Sequence, residues 1–117
     1  MINKTSILSY ALVILTLTVC APAGKSESPV LKKIQEGALI IDVRTPGEVA
    51  AGIYPGAKNI PLAELESRLS EFGPKDGNIV VYCRSGSRSS QAKRILESNG
   101  YTNVTNGGGL RDMPSSN

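Results

Sequence analysis

The residues best suited to chemistry lie at 81–89, which read VYCRSGSRS. In this stretch a cysteine ends an apolar run and is followed by two arginines and a glycine. The thiolate is the nucleophilic form of cysteine, and nearby cations lower the pKa of a thiol. These residue types at this spacing therefore predict a nucleophilic sulfur on Cys83, beside a site that attracts an anion.

The elements around Cys83 are predicted to hold its thiol between a strand and a helix. Residues 79–83 form an apolar run that favours a strand, and 89–99 carry apolar residues at helical spacing. A loop before a helix N-terminus directs backbone N–H groups inward, and the helix dipole adds partial positive charge there. This loop is the predicted anion cradle. Its small residues Ser85, Gly86 and Ser87 let the backbone curl, and Arg84 and Arg88 add positive charge.

The rest of the domain alternates between helical and strand patterns. Helices are predicted at 28–37, after a capping box at 45–48, and at 62–72; strands are predicted at 38–43, 57–61 and 101–105, with 107–109 as a loop. Such alternation predicts one α/β domain, with a mostly parallel sheet and helices on both faces. Ligands of such sheets bind beyond the carboxyl ends of the strands, where Cys83 is predicted to lie.

The first 23 residues have the features of a secretory signal peptide. Lys4 precedes an apolar stretch at 7–20 that is short for a spanning helix, and small residues allow cleavage after Ala23. The mature domain, 24–117, would then have no stable membrane span. Two alternatives stay open, which are lipidation of Cys20 and an uncleaved membrane anchor. The bulky Val19 argues against lipidation, because a small residue is expected before the lipidated cysteine.

Composition excludes several function classes. The chain has 117 residues, a net charge of +3 and no run of basic residues, which argues against nucleic-acid binding. It has no histidine, and signal cleavage would leave Cys83 as its single thiol. A catalytic zinc site of the usual kind and a Cys-His or Ser-His pair are therefore excluded. We expect no metal, no cofactor and a thiol that is activated by its surroundings.

Four segments of the chain resemble, in the same order, those of the rhodanese family of sulfurtransferases. They are IDVR at 41–44, PGAKNIP at 55–61, CRSGSRS at 83–89 and GYTNVTNGGG at 100–109. The chain looks most like the exported, single-domain members of phage-shock type. The family often has histidine in a G-H-I-P-G-A stretch, whereas this chain reads GIYPGA at 52–57.

The resemblance implies a rhodanese-like domain in the bacterial periplasm that transfers sulfur through a persulfide on Cys83. Thiosulfate would be the anionic donor, and cyanide or a thiol would be the acceptor. Asp42 and Arg44 would support the active loop, although a turn carboxylate and a surface cation are the other interpretation of that pair. The implied substrate-binding residues, which cradle the sulfur mainly through backbone amides, are Arg84, Ser85, Gly86, Ser87, Arg88 and Ser89.

Two other functions stay open on the sequence alone. A carrier module would receive sulfur on Cys83 from a partner and deliver it without turning over thiosulfate. A rhodanese-like phosphatase or arsenate reductase would use a related loop with the spacing C-x5-R. Here Cys83 to Arg88 is C-x4-R, which predicts a cradle too tight for a tetrahedral oxyanion.

Overall fold

A sheet of four parallel strands forms the centre of the computed structural model, which describes residues 27–116. The strands are β1 (Leu39–Asp42), β2 (Lys58–Asn59), β3 (Ile79–Cys83) and β4 (Val104–Gly109). Their order across the sheet is β2-β1-β3-β4, and each neighbouring pair is parallel. The structure thus confirms the predicted α/β class with its parallel sheet.

The strand β3 lies inside the sheet because its residues are apolar on both faces. All five of them are buried, and Ile79 pairs with Leu39 of β1 and with Val104 of β4. A strand buried on both faces reads as a continuous apolar run, which is the pattern of residues 79–83. Cys83 is the last residue of β3 and lies at the carboxyl edge of the sheet.

Helices pack on both faces of this sheet, as the sequence predicts. On one face, α1 (Pro29–Gln35) packs Ile34 against the core cluster that contains Val80. A short helix, α2 (Pro46–Ala50), follows β1. The longest helix, α3 (Ser87–Ser98), contributes to the core cluster on the other face.

The capping box that marks α2 is formed in full. The hydroxyl of Thr45 accepts a hydrogen bond from the N–H of Glu48, and the Glu48 carboxylate accepts one from the N–H of Thr45. Because α2 follows closely on β1, this box places the Glu48 carboxylate near the carboxyl edge of the sheet.

The segment 62–72, predicted as one helix, consists of two 3-10 helices, Leu62–Glu64 and Glu66–Phe72. The backbone leaves helical geometry at Arg68, where φ is −122°. Leu65, between the two, is nevertheless fully buried. An apolar spacing of three or four residues fits a 3-10 turn as well as an α turn, so the pattern does not distinguish them.

Residues 107–109, predicted as a loop, form the second half of β4. They extend the pairing with β3 until Gly109 stands opposite Cys83, after a shift of register. A side chain at Gly109 would overlap the backbone carbonyl oxygen of Arg84. Glycine is therefore required there by a close approach between strand and loop, and the predicted strand at 101–105 begins and ends later than expected.

The predicted signal peptide, residues 1–23, lies outside the described residues, and Cys20 lies there with it. Within residues 27–116, no helix is both long enough and apolar enough to cross a bilayer.

Candidate active site

Cys83 is buried where β3 turns into the loop that precedes α3. The N–H of Gly86 donates a hydrogen bond to Sγ over 3.0 Å, and the hydroxyl oxygen of Ser89 lies 3.5 Å from Sγ. Gly86 is the N-cap of α3 and has a φ of 97°, a left-handed conformation that glycine adopts at little cost. The loop therefore curls towards the sulfur and directs N–H groups at it.

The six residues predicted for the cradle divide equally between this loop and α3. The helix begins two residues before its predicted start, so that the last three residues form its first turn. The loop residues are Arg84, Ser85 and Gly86, and the helical residues are Ser87, Arg88 and Ser89.

The pKa of Cys83 lies below the usual range of a thiol. Burial raises this pKa, but the hydroxyl of Ser89 and the backbone N–H groups of Ser89, Ser85 and Gly86 lower it by more. Such donors stabilise a negative charge on sulfur far better than a neutral thiol. Hydrogen bonds, rather than the two arginines of the loop motif, are thus the main causes of the lowered pKa.

Ser89 is held near the sulfur by β4. Its buried hydroxyl oxygen lies 2.7 Å from Oδ1 of Asn106 and 3.0 Å from the carbonyl oxygen of Gly86. Oδ1 of Asn106 also accepts a hydrogen bond from the N–H of Gly108 over 2.9 Å. Because a hydroxyl has one proton, Ser89 donates to the sulfur or to one of these oxygens at a time. Sequence reasoning missed Asn106, whose only signal is its place in the segment 100–109.

Arg88 forms a two-pronged ion pair with Glu48, which links α3 to α2. Nη1 lies 2.7 Å from Oε1, and Nη2 lies 2.9 Å from Oε2. This pairing is the main reason why the pKa of Glu48 falls to about 2. The charge of Arg88 is therefore largely offset, although the sequence predicts that it attracts an anion. The capping box was the only signal for Glu48, and it indicates a helix start rather than a partner for Arg88.

Arg84 and Arg111 line a cleft of about 290 Å³ at the carboxyl edge of the sheet. Both side chains are exposed, and neither forms an ion pair with another residue of the described domain. The other lining residues are Arg44, Glu48, Ala51 and Leu110. Cys83 is fully buried and is not part of the lining. Arg111 carries no motif and was not predicted as a site residue.

Asp42 and Arg44 form a buried ion pair, so the interpretation of Arg44 as a surface cation is wrong. Arg44 is 6% exposed and Asp42 is fully buried. Nη2 of Arg44 donates to the Asp42 carboxylate over 2.7 Å and to the carbonyl oxygen of Gly52 over 2.6 Å. The side-chain partners of this pair belong to the scaffold, and Arg44 is also one of the residues that line the cleft.

Tyr82 of β3 completes the network around Asp42. Its hydroxyl donates to the Asp42 carboxylate over 2.6 Å and accepts a hydrogen bond from the N–H of Tyr54 over 2.9 Å. Burial, followed by the bond to Asp42, raises the pKa of Tyr82 to about 12. Ile53, which the resemblance aligns with the histidine of the G-H-I-P-G-A stretch, is exposed. The network thus connects β1 and β3 without an imidazole.

Within residues 27–116, the structure contains no group of three or more His, Cys, Asp or Glu side chains that could hold a metal ion. The chemistry of the site rests on one thiol, its hydrogen-bond donors and the surrounding cations. This arrangement can stabilise a thiolate and bind an anion beside it.

Comparison with known proteins identifies the family. The rhodanese-like domain family matches residues 27–111. Thiosulfate sulfurtransferase PspE of Escherichia coli is 46% identical over 74 residues, which are 62% of this chain and 71% of that protein. A sulfurtransferase of Allochromatium vinosum is 46% identical over 71 residues, which are 61% of this chain and 65% of that protein.

Comparison of folds agrees with the sequence match. A solved structure of a rhodanese with anions from E. coli superimposes with a TM-score of 0.62 at 44% identity, and the match covers 66% of this chain and 94% of that one. The segment 83–89, which resembles the active loop of rhodaneses, therefore lies in a rhodanese-like fold. The chain belongs to the rhodanese family.

Proposed function

We propose that this protein is a sulfurtransferase that moves sulfane sulfur from thiosulfate to cyanide or a thiol through a persulfide on Cys83. The observation that carries the proposal is the 3.0 Å hydrogen bond from the N–H of Gly86 to Sγ, at a thiol whose pKa is lowered. The name of the E. coli relative, thiosulfate sulfurtransferase, supports thiosulfate as the donor.

In the first half-reaction, the Cys83 thiolate attacks the outer sulfur of thiosulfate. A bond forms between Sγ and that sulfur, the bond to the sulfonate sulfur breaks, and sulfite leaves with the electron pair. One thiolate and one dianion become one persulfide anion and one sulfite dianion, and no proton moves. The step needs no general base, which suits a chain without histidine.

The backbone donors of the loop then stabilise the anionic persulfide. The N–H groups of Ser85, Gly86 and Ser89 favour negative charge at the sulfur of Cys83, in the manner of an oxyanion hole. The dipole of α3 adds partial positive charge at the same place. Arg88 acts by holding the first turn of this helix against α2, since its charge is occupied by Glu48.

In the second half-reaction, cyanide or a thiolate attacks the outer sulfur of the persulfide. The bond between that sulfur and Sγ breaks, and the Cys83 thiolate is regenerated. Asp42 and Arg44 support both steps by fixing the end of β1 beside β3, where Tyr82 hydrogen-bonds to their ion pair.

A non-turnover sulfur carrier is the second candidate. The burial of Cys83 favours it, because a buried persulfide is protected from unintended acceptors. By contrast, the ion pair of Arg88 with Glu48 disfavours a phosphatase or arsenate reductase, since the arginine that ends the loop is already occupied.

Intact mass after incubation with thiosulfate tests the proposal. Wild type is expected to gain one sulfur atom and to release sulfite repeatedly once cyanide is added. Cys83→Ser is expected to gain no sulfur and to lose turnover, because a hydroxyl is a weak nucleophile without a base. Turnover that persists in Cys83→Ser, with an unchanged melting temperature, would exclude the mechanism. Sulfur gain in wild type without repeated turnover would favour the carrier.

We further propose that residues 1–23 direct export to the periplasm and that the mature domain comprises 24–117. The basic residue, the apolar stretch and the small residues before Gly24 support this. Expression of the full chain in an exporting bacterium, followed by intact mass, tests it. A mature chain that begins at Gly24 is expected; a lipid-modified chain that begins at Cys20, or an uncleaved chain, would contradict the proposal.

A further inference from the structure

We propose that the cleft lined by Arg84 and Arg111 binds an acceptor thiol that carries carboxylate groups. This inference rests on the proposed sulfur transfer and deepens it by naming the class of acceptor. It assigns Arg111, which lies beyond β4, to the recognition of that acceptor.

The charges of the cleft favour an anion. Of its four charged side chains, two are already occupied: Arg44 by Asp42 at 2.7 Å, and Glu48 by Arg88 at 2.7 Å. The other two, Arg84 and Arg111, are exposed and have no ion-pair partner among residues 27–116. Two cations thus remain available to a ligand. Arginine is well suited to carboxylates because its guanidinium group can donate two parallel hydrogen bonds.

The size and the apolar walls of the cleft favour an organic anion over thiosulfate alone. Its volume is about 290 Å³, near the lower end of sites that bind small organic molecules, which begin at about 300 Å³. Ala51 and Leu110 supply apolar surface to the same cleft. A thiol with a short carbon chain and one or more carboxylates matches both kinds of surface.

The position of the cleft suits the second half-reaction. Arg84 directly follows Cys83 in the chain. Gly109 of β4 pairs with Cys83, and Arg111 lies two positions after Gly109. Carboxylates held by these arginines would keep the acceptor beside the loop that holds the persulfide. The acceptor thiolate attacks the outer sulfur, the bond to Sγ breaks, and the products are the acceptor persulfide and the Cys83 thiolate. No oxidant or reductant is needed.

Single-turnover discharge of the persulfide tests this inference. Loaded protein is mixed with mercaptosuccinate or with 2-mercaptoethanol at equal thiolate concentration, and intact mass follows the loss of sulfur. Wild type is expected to prefer mercaptosuccinate. Arg111→Gln and Arg84→Gln are each expected to lower the ratio of the two rates about three- to fivefold, since an exposed charge contributes up to about 1 kcal/mol. Arg94→Gln, an equal loss of charge at an exposed position of α3, should leave the ratio unchanged.

The outcomes separate this inference from the proposed function. A ratio that is the same in wild type, Arg84→Gln and Arg111→Gln would overturn the acceptor site, and so would an equal fall in Arg94→Gln. Arg111→Lys keeps the positive charge and should keep most of the preference for mercaptosuccinate over 2-mercaptoethanol. A purely structural role of Arg111 would not predict that retention. Failure of thiosulfate to load Cys83 would overturn the proposed donor alone, because inorganic polysulfide can load the same sulfur for the acceptor experiment.

Discussion

The surroundings of Cys83 favour a charged sulfur mainly through hydrogen bonds. A buried thiol would normally resist ionisation, yet the pKa of Cys83 is lowered because donors from the loop and α3 outweigh burial. Hydrogen bonds act over short distances and depend on direction, so they are less sensitive to salt than exposed charges. The nucleophile should therefore stay active at high ionic strength, while the capture of anionic substrates weakens.

Replacing Ser89 tests this view of the thiol. Ser89→Ala removes the hydroxyl that lowers the pKa of Cys83, so the pKa of the variant should rise. Persulfide formation from thiosulfate should slow about tenfold near neutral pH, given that hydrogen bonds to charged groups contribute about 1.5–3 kcal/mol. The deficit should shrink as pH rises, because the remaining thiol ionises. Ser90→Ala, one position along α3, is the matched control; equal pH profiles in the two variants would contradict the assignment.

At the scale of single residues, the sequence predicts what is local and misses what is distant. Cys83 and the loop after it form one continuous motif, so their proximity follows from the chain itself. Glu48 lies 40 positions in the chain from its partner Arg88, and Asn106 lies 17 positions from its partner Ser89. These two residues and Arg111 reach the loop only through the sheet and α2. No local pattern encodes such distances.

At the scale of elements, two neighbours hold the active loop in place. From one side, β4 approaches the loop so closely that a side chain at position 109 would overlap the carbonyl oxygen of Arg84. From the other side, α2 binds the first turn of α3 through the ion pair of Glu48 with Arg88. The shape of the loop therefore depends on both contacts as well as on its own sequence.

Gly109→Ala tests the contact with β4. The added methyl group would meet backbone rather than a flexible side chain, so the loop or the strand must shift. We expect a loss of about 1–3 kcal/mol in the free energy of unfolding, together with reduced persulfide formation. Gly47→Ala is the matched control, because a methyl group there meets nothing within 4 Å. Equal stability and activity in the two variants would show that the close approach does not matter.

Acid unfolding tests the contact with α2. The pKa of Glu48 is about 2 in the folded protein, below its ordinary value of 4.5, chiefly because of Arg88. The ion pair therefore stabilises the fold fully above pH 4.5, and this contribution is lost as pH falls towards 2. Glu48→Gln should be less stable than wild type at pH 6, with a difference that disappears near pH 2.

Urea midpoints across this pH range provide the measurement for Glu48→Gln. Glu71, whose pKa is also about 2 because of Arg68 and Lys58, contributes to the acid sensitivity of wild type. Glu71→Gln therefore serves as a second reference that lies outside the active loop. A stability difference between Glu48→Gln and wild type that stays constant from pH 6 to pH 2 would contradict the ion-pair account.

The predicted elements differ in how strongly their sequences determine them. The strand β3 is a continuous apolar run, and its bounds match the predicted residues 79–83. Such a run is the pattern of a strand that is buried on both faces. The glycines of β4 carry no such signal, since glycine is ordinarily depleted in strands and common in loops. Their strand conformation results from pairing with β3, which only the assembled sheet reveals.

At the scale of the whole molecule, both core clusters lie in the described domain and are separated by the sheet.

The net charge of the whole chain is +3. A general attraction for anions therefore competes with local binding as an explanation for the proposed use of thiosulfate. The two explanations differ in whether the position of a charge matters.

Arg84→Gln and Arg94→Gln separate local from general attraction, because each removes one positive charge from the same molecule. If the position next to Cys83 matters, kcat/KM for thiosulfate should fall up to about fivefold in Arg84→Gln at low salt and stay near wild type in Arg94→Gln. The deficit should shrink above 0.1 M salt, where the Debye length is about 10 Å or less. Equal losses in both variants would mean that net charge alone steers thiosulfate. No loss in either variant would mean that the backbone N–H groups of the loop capture thiosulfate without help from Arg84.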